Sequence, residues 1–182
     1  MRNLFAAFSV ISVLSGCGFV EKENFFPLGS EARTIAASAE LSQRFFSNST
    51  RVSHNNFRHG TQYEYHAPDG TTYLWYPGNR SIVMGQWKVE RTRDGDNTLC
   101  YLYGSSSFNP VTRQYGGNWE CRKITSLDVA GDETIKGDPF SLETGNIPFV
   151  MEGTSYYSPS EVMEFLGKSI SEIDYITNIE EL

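Results

Sequence analysis

The chain has 182 residues, a net charge of −7 and an aromatic content of 14%. That length gives one domain able to bury a core without a metal or a partner subunit. The acidic balance excludes a nucleic-acid binder, which gains affinity from basic side chains displacing counterions, and excludes adhesion of the bare surface to anionic lipid.

The first segment, 1–16, carries Arg2, then an uncharged apolar run of eleven residues from Leu4 to Leu14. A bilayer-spanning helix needs about 20 residues, whereas a secretory signal uses roughly 7–15. The run ends in Leu14-Ser15-Gly16-Cys17, and this order resembles the lipobox of bacterial lipoproteins. The resemblance implies cleavage before Cys17, acylation of the Cys17 thiol and anchorage of the mature protein by its lipid. Gly18 stands where an Asp would signal inner-membrane retention, so it implies the outer membrane, on its periplasmic face. Rival readings are an ordinary secretory signal and a buried N-terminal helix. Each buried lipid CH₂ is worth about 0.8 kcal/mol, so two or three chains anchor stably.

Loss of sixteen residues would leave 166, with a net charge of −8 because Arg2 goes. Residues 17–29 read as a tether, 30–168 as a single β-rich domain with flanking helices, and 169–182 as an acidic tail expected to fray. No internal repeat is visible.

Residues 30–46 read as one helix: Ser30 caps it, Glu31 suits its first turn, and Ala37, Leu41 and Phe45 form an apolar stripe. The cluster 47–50 ends it. Strands follow at 63–66, 71–76, 81–90 (with a bend at Gly85), 98–103 and 118–124. Pro68-Asp69-Gly70 is the turn between the first two, because Pro presets φ and Gly accepts a positive φ. Residues 104–117, rich in Ser and Gly, are a binding loop or an excursion stapled at its base. The spacing of turns predicts a mainly β, α+β fold: an antiparallel meander forming a small barrel or sandwich, with an N-terminal and a C-terminal helix. Residues 128–157 read as irregular, with one or two short strands. Ser158-Pro159-Ser160-Glu161 starts a helix with a capping box, and Gly167 ends it.

If Cys17 is lipidated, Cys100 and Cys121 are left. In an oxidising compartment such a pair closes, and a loop of about twenty residues is worth roughly 3 kcal/mol. The alternative, a metal or redox pair, lacks C-x-x-C spacing and a nearby His.

Candidate chemistry is sparse. His54, His59 and His66 cluster with Glu64 nearby, which reads as turn and surface histidines before it reads as a zinc set. Asp94-Gly95-Asp96-Asn97 reads as a hairpin turn, because a calcium loop needs Asp at alternate positions, Gly at its sixth and Glu at its twelfth, and here Gly stands second. No G-x-S-x-G elbow is present. The expectation is a non-enzymatic protein without cofactor or metal.

The aromatic residues are the remaining constellation. Tyr73 and Trp75 share one strand face, Tyr101 and Tyr103 another, with Trp87 and Trp119 nearby. Such rings are either core or a stacking platform for a glycan. The ligand-binding candidates are Tyr73, Trp75, Trp87 and Tyr103.

The segments 65–79, Gly85-Gln86-Trp87-Lys88-Val89, Leu99-Cys100-Tyr101 and Trp119-Glu120-Cys121 together resemble a family of small exported bacterial β proteins with a G-x-W-x-V motif and two cysteines. The resemblance spans about 35–125 and implies exported β structure with a Cys100–Cys121 bridge, but no activity. The expected partners are the membrane, through the lipid, and an envelope protein or glycan. A lysozyme-inhibitor-like module and an outer-membrane assembly accessory are the alternatives.

Overall fold

The computed structural model describes Leu28 and residues 30–56, 59–109, 114–130 and 132–182. The expected signal segment, Cys17 and all of the tether but Leu28 lie outside the described residues. Among the described residues no helix is long and apolar enough to cross a membrane.

The fold is mainly β. Among the described residues seven antiparallel strands form a curled half-barrel sheet, accompanied by four α-helices and a small separate hairpin. In chain order these are α1 (Glu31–Ala37), α2 (Ala39–Phe46), β1 (Ser49–Asn55), β2 (Gly60–His66), β3 (Thr71–Trp75), β4 (Val83–Arg91) and β5 (Asn97–Tyr103). Then follow β6 (Phe108–Asn109), β7 (Gln114–Tyr115), β8 (Glu120–Lys123), α3 (Ser126–Ala130), β9 (Glu133–Lys136) and α4 (Pro159–Phe165). The sheet order is β8-β5-β4-β3-β2-β1-β9, with β6 and β7 paired apart.

The N-terminal helix is two helices. Ser38 adopts an extended conformation, and its Oγ accepts from the Leu41 N–H at 3.2 Å, so a residue expected inside one helix caps a second. The break resets the helical phase: Ala32, Ile35, Phe45 and Phe46 are buried, while Ala37 is exposed.

The β2–β3 turn forms as its residues dictate, with Gly70 at φ +87°. The sheet extends beyond the expected meander, because β1 pairs with β2 on one side and with β9 on the other. Gly85 does not interrupt β4.

Alternation gives the sheet two faces. On the outer face Tyr63 lies 5.2 Å from Trp75 and 4.8 Å from Phe140, ring centre to ring centre. The C-terminal third covers this face with Phe140, Leu142, Met151, Val162 and Met163. At one end of the inner face α1, α2 and α3 pack Ile35, Phe45, Phe46 and Val129 against Trp87 and Leu99. Full burial of each large apolar side chain is worth about 1.5–3 kcal/mol.

The bridge Cys100–Cys121 joins directly opposed residues of β5 and β8, with Cα atoms 4.0 Å apart. At the other sheet edge the tail is tied down instead of fraying. The Lys136 N–H donates to the Asp174 carbonyl at 2.8 Å and the Ile176 N–H to the Thr134 carbonyl at 2.9 Å. Ile176 is buried, and the Ile179 N–H donates to the Glu31 carboxylate at 2.7 Å, tying the tail to α1. α4 has its capping box: the Glu161 N–H donates to Ser158 Oγ at 3.3 Å, and the Ser158 N–H donates back to Glu161 Oε2 at 2.7 Å.

Candidate functional site

Inner-face side chains from β1, β2, β3, β5 and β8 converge on one cavity of about 680 Å³. They include Arg51 and Ser53, Gln62 and Glu64, Leu74, Tyr101 and Tyr103, and Glu120 and Arg122, with Leu127 and Asp128 of α3 and Asp132 beside them. This volume falls within the roughly 300–1,000 Å³ typical of small-ligand pockets.

Among the described residues the half-barrel is not closed by strand pairing. Its open seam, between β8 on one side and β1 with β9 on the other, is bridged by α3 and a chain of charges. Arg51 donates through Nη2 to the Asp128 carbonyl at 2.9 Å and to the Asp132 carboxylate. Arg122 pairs with the Asp128 carboxylate, whose second oxygen accepts from the Thr125 N–H and hydroxyl, each at 2.8 Å. Burial would raise the Asp128 carboxyl, but the Thr125 hydrogen bonds and Arg122 outweigh it and hold it below the usual range.

Glu64 sits on the cavity wall with 17% of its side chain exposed. Its Oε1 accepts from the Thr72 hydroxyl at 2.9 Å and from the Tyr103 hydroxyl. Its Oε2 accepts no hydrogen bond among the described residues and lies 3.9 Å from His66 Nε2. Burial raises its carboxyl above the ordinary range, although Tyr103, Thr72 and Arg51 oppose the shift. Glu64 likewise drives the buried Tyr103 phenol upward, behind burial itself.

Tyr103 reaches Glu64 because β4 has no side chain at Gly85. A Cβ there would stand 2.6 Å from Tyr103 Cδ1 and 2.8 Å from the Leu102 carbonyl oxygen. Tyr101 lies beside Tyr103, the two rings parallel within 9° and 6.2 Å between centres. The Tyr101 hydroxyl is 3.0 Å from His66 Nε2. His66 is fully buried against Phe46 and Trp87, and burial holds its imidazole well below the normal value, so it is neutral.

The residues expected from the sequence fall in different places. Tyr103 lines the cavity. The alternation of β3 does put Tyr73 and Trp75 on the face opposite Leu74, but that face is covered by protein. Trp75 is 0% exposed, in edge contact with Phe149 and donating from Nε1 to the Phe149 carbonyl at 3.2 Å. Tyr73 is half-buried against Tyr65, and Trp87 is buried with Nε1 donating to the Ala67 carbonyl at 2.9 Å. Trp119 is exposed, with Lys88 Nζ 4.6 Å over its ring.

His54 and His59 line the cavity, whereas His66 lies behind Tyr101. His54 Nδ1 is 3.0 Å from Thr61 Oγ1, and its Nε2 meets Asn56. Residues 94–97 form a turn, with Gly95 at φ +86°. Among the described residues one group has metal-ligand proximity: Glu90, Cys100 and Cys121. Its sulfurs are joined to each other, so it offers no thiolate.

Sequence reading missed Arg51, Arg122, Asp128 and Asp132, and it weighed Glu64 only as a companion to histidines. The available signal was the phase of β2, where Gln62, Glu64 and His66 alternate with Tyr63 and Tyr65. Three polar residues in one phase mark a polar inner face.

No family model matches the chain, and no curated protein or solved structure matches it.

Proposed function

We propose that this chain is an exported protein, held by lipid on Cys17 to the periplasmic face of the outer membrane, that binds a glycan of the envelope in its inner cavity. The observation that carries the reading is the wall of that cavity. Two parallel tyrosine rings stand beside a carboxylate and two guanidinium groups in a volume of about 680 Å³. Sugars present flat C–H faces to rings and hydroxyls to carboxylates and guanidinium groups, so this mixture of surfaces suits them. The role is binding, without cofactor.

The test is calorimetric titration of the full chain in detergent micelles with soluble peptidoglycan fragments and with chitooligosaccharides. Tyr103→Ala is expected to weaken binding about tenfold, or roughly 1.4 kcal/mol, with an unchanged circular dichroism spectrum. Absence of binding to every glycan tested overturns the reading.

One observation favours a second reading, an inhibitor-like module for a protein partner. The β6–β7 hairpin exposes Phe108 and Tyr115, whose ring centres are 5.1 Å apart. An assembly role through α4 has less support, since Val162 is buried, Leu166 is partly buried, and only Phe165 of that apolar set is exposed. A partner lost on replacing both hairpin aromatics with Ser, in a protein that binds no glycan, would move the assignment to the inhibitor class.

A further inference from the structure

The charges of the cavity are not equally available. Arg51 is held by Asp132 and by the Asp128 carbonyl, and Arg122 by the Asp128 carboxylate. Each guanidinium thus already has its carboxylate. His66 is neutral and buried. Two carboxylates remain: among the described residues neither Glu64 nor Glu120 has a lysine or arginine at ion-pair distance. Glu64 Oε1 is saturated by Thr72 and Tyr103, which fixes the carboxylate plane and leaves Oε2 as its open acceptor. Glu120 stands directly opposite Tyr101 on the β8 side of the same cavity.

From this geometry we infer that the cavity takes an amine-bearing ligand: a glycan with a free amino group, its ammonium received by Glu64 Oε2 with Glu120 at the rim. The inference deepens the glycan-binding reading and rests on it. The same chemistry disfavours acidic sugars, whose carboxylates would face Glu64 and Glu120 with both arginines already engaged. It also disfavours N-acetylated sugars, whose amide nitrogen carries no charge. A charge-assisted hydrogen bond to carboxylate is roughly twice as strong as a neutral one. The amine is therefore the group that gains most from an acceptor already oriented by Thr72 and Tyr103. A primary ammonium occurs on de-N-acetylated amino sugars and on lysine-type side chains, and the tyrosine pair favours the sugar, which has a ring face to stack.

The experiment titrates the full chain in detergent micelles, at about pH 7, with tetraglucosamine, tetra-N-acetylglucosamine and a lysine-containing tripeptide. Tetraglucosamine is expected to bind about tenfold tighter than its acetylated counterpart, with the preference falling as salt is raised. The tripeptide is expected not to bind. Glu64→Gln and, at an exposed position that does not threaten folding, Glu120→Gln should each reduce the preference. Equal binding of the two sugars, or a preference untouched in the double variant, overturns the amine inference and leaves glycan binding standing. Binding of the tripeptide alone, or of nothing, overturns both.

Discussion

Arg51 and Glu64 are directly opposed across the β1–β2 ladder, yet Arg51 gives its Nη2 to the Asp132 carboxylate and the Asp128 carbonyl. The cation opposite it in the ladder is thereby used to bridge the seam of the half-barrel, and Glu64 is left to the hydroxyls of Thr72 and Tyr103. A buried carboxylate without its ion pair costs stability. Such a cost is tolerated where the group serves a ligand.

Glu64→Gln should therefore stabilise the protein at neutral pH. The amide keeps an acceptor for Tyr103 and Thr72 and removes a charge disfavoured by burial. The folded-state value is raised, so the contribution of the neutral acid is fully present below the unfolded value and is lost as pH rises through the folded one. The gain in the variant is then expected to be near zero at about pH 4 and to reach about 1 kcal/mol at neutral pH. Urea denaturation across that range measures it, and a variant less stable at neutral pH would contradict the assignment.

His66 acts with the opposite sign. Burial, and then the charges of Arg51 and Arg122, hold its folded value well below 6.5. Its neutral form contributes stability above the unfolded value of about 6.5, and that contribution is lost as pH falls toward the folded value. His66→Gln, which leaves Tyr101 a side-chain partner, should lower stability at neutral pH but flatten its decline between about pH 7 and 5. An unchanged slope would mean that His66 is not the group being protonated.

Gly85→Ala tests how the site is built. The new Cβ would meet the Tyr103 ring and the Leu102 carbonyl oxygen. Forcing a group into such a contact costs typically 1–3 kcal/mol. Replacing Tyr103 by Ala in the same chain should recover only part of the loss, because the clash with the Leu102 backbone persists. Equilibrium denaturation of the two single variants and the double variant gives the coupling, and full additivity would separate Gly85 from Tyr103.

Where the sequence and the structure agree, the determinants are local. Pro68, Asp69 and Gly70 form their turn from their own dihedral preferences, and Ser158 and Glu161 close their capping box within one helical turn. The Cys100–Cys121 bridge is the exception, since its residues meet only through the pairing of β5 with β8, although the count of cysteines already pointed to it. β1 was hidden because Ser-Thr-Arg-Val-Ser-His-Asn has the composition of a helix terminator. It becomes a strand through β2 and through β9, far along the chain, with Ser49 paired to Lys136. The cavity was hidden for the same reason: Arg51, Glu64, Tyr101 and Arg122 come from four strands, and only the order of the sheet brings them together. Strand alternation assigns the aromatic row to its faces, but its covering by residues such as Phe140 and Met151 depends on a segment whose own sequence shows no regular pattern.

The tail provides the last test. Residues 169–182 have the acidic composition of a frayed end, yet they cover the outer edge of β9 and put Ile176 into the core beneath α1. An uncovered edge strand also invites pairing with other chains. Truncation after Lys168 should cost several kcal/mol, since it removes a buried isoleucine worth about 2–5 kcal/mol along with the edge hydrogen bonds. It should also promote aggregation. Ile176→Ala alone should cost roughly 2–4 kcal/mol without exposing the edge, so it should destabilise with little aggregation. In hydrogen exchange the Lys136 and Ile176 amides should be protected together in the intact chain. Rapid exchange of both would show that the tail is not a clamp in solution.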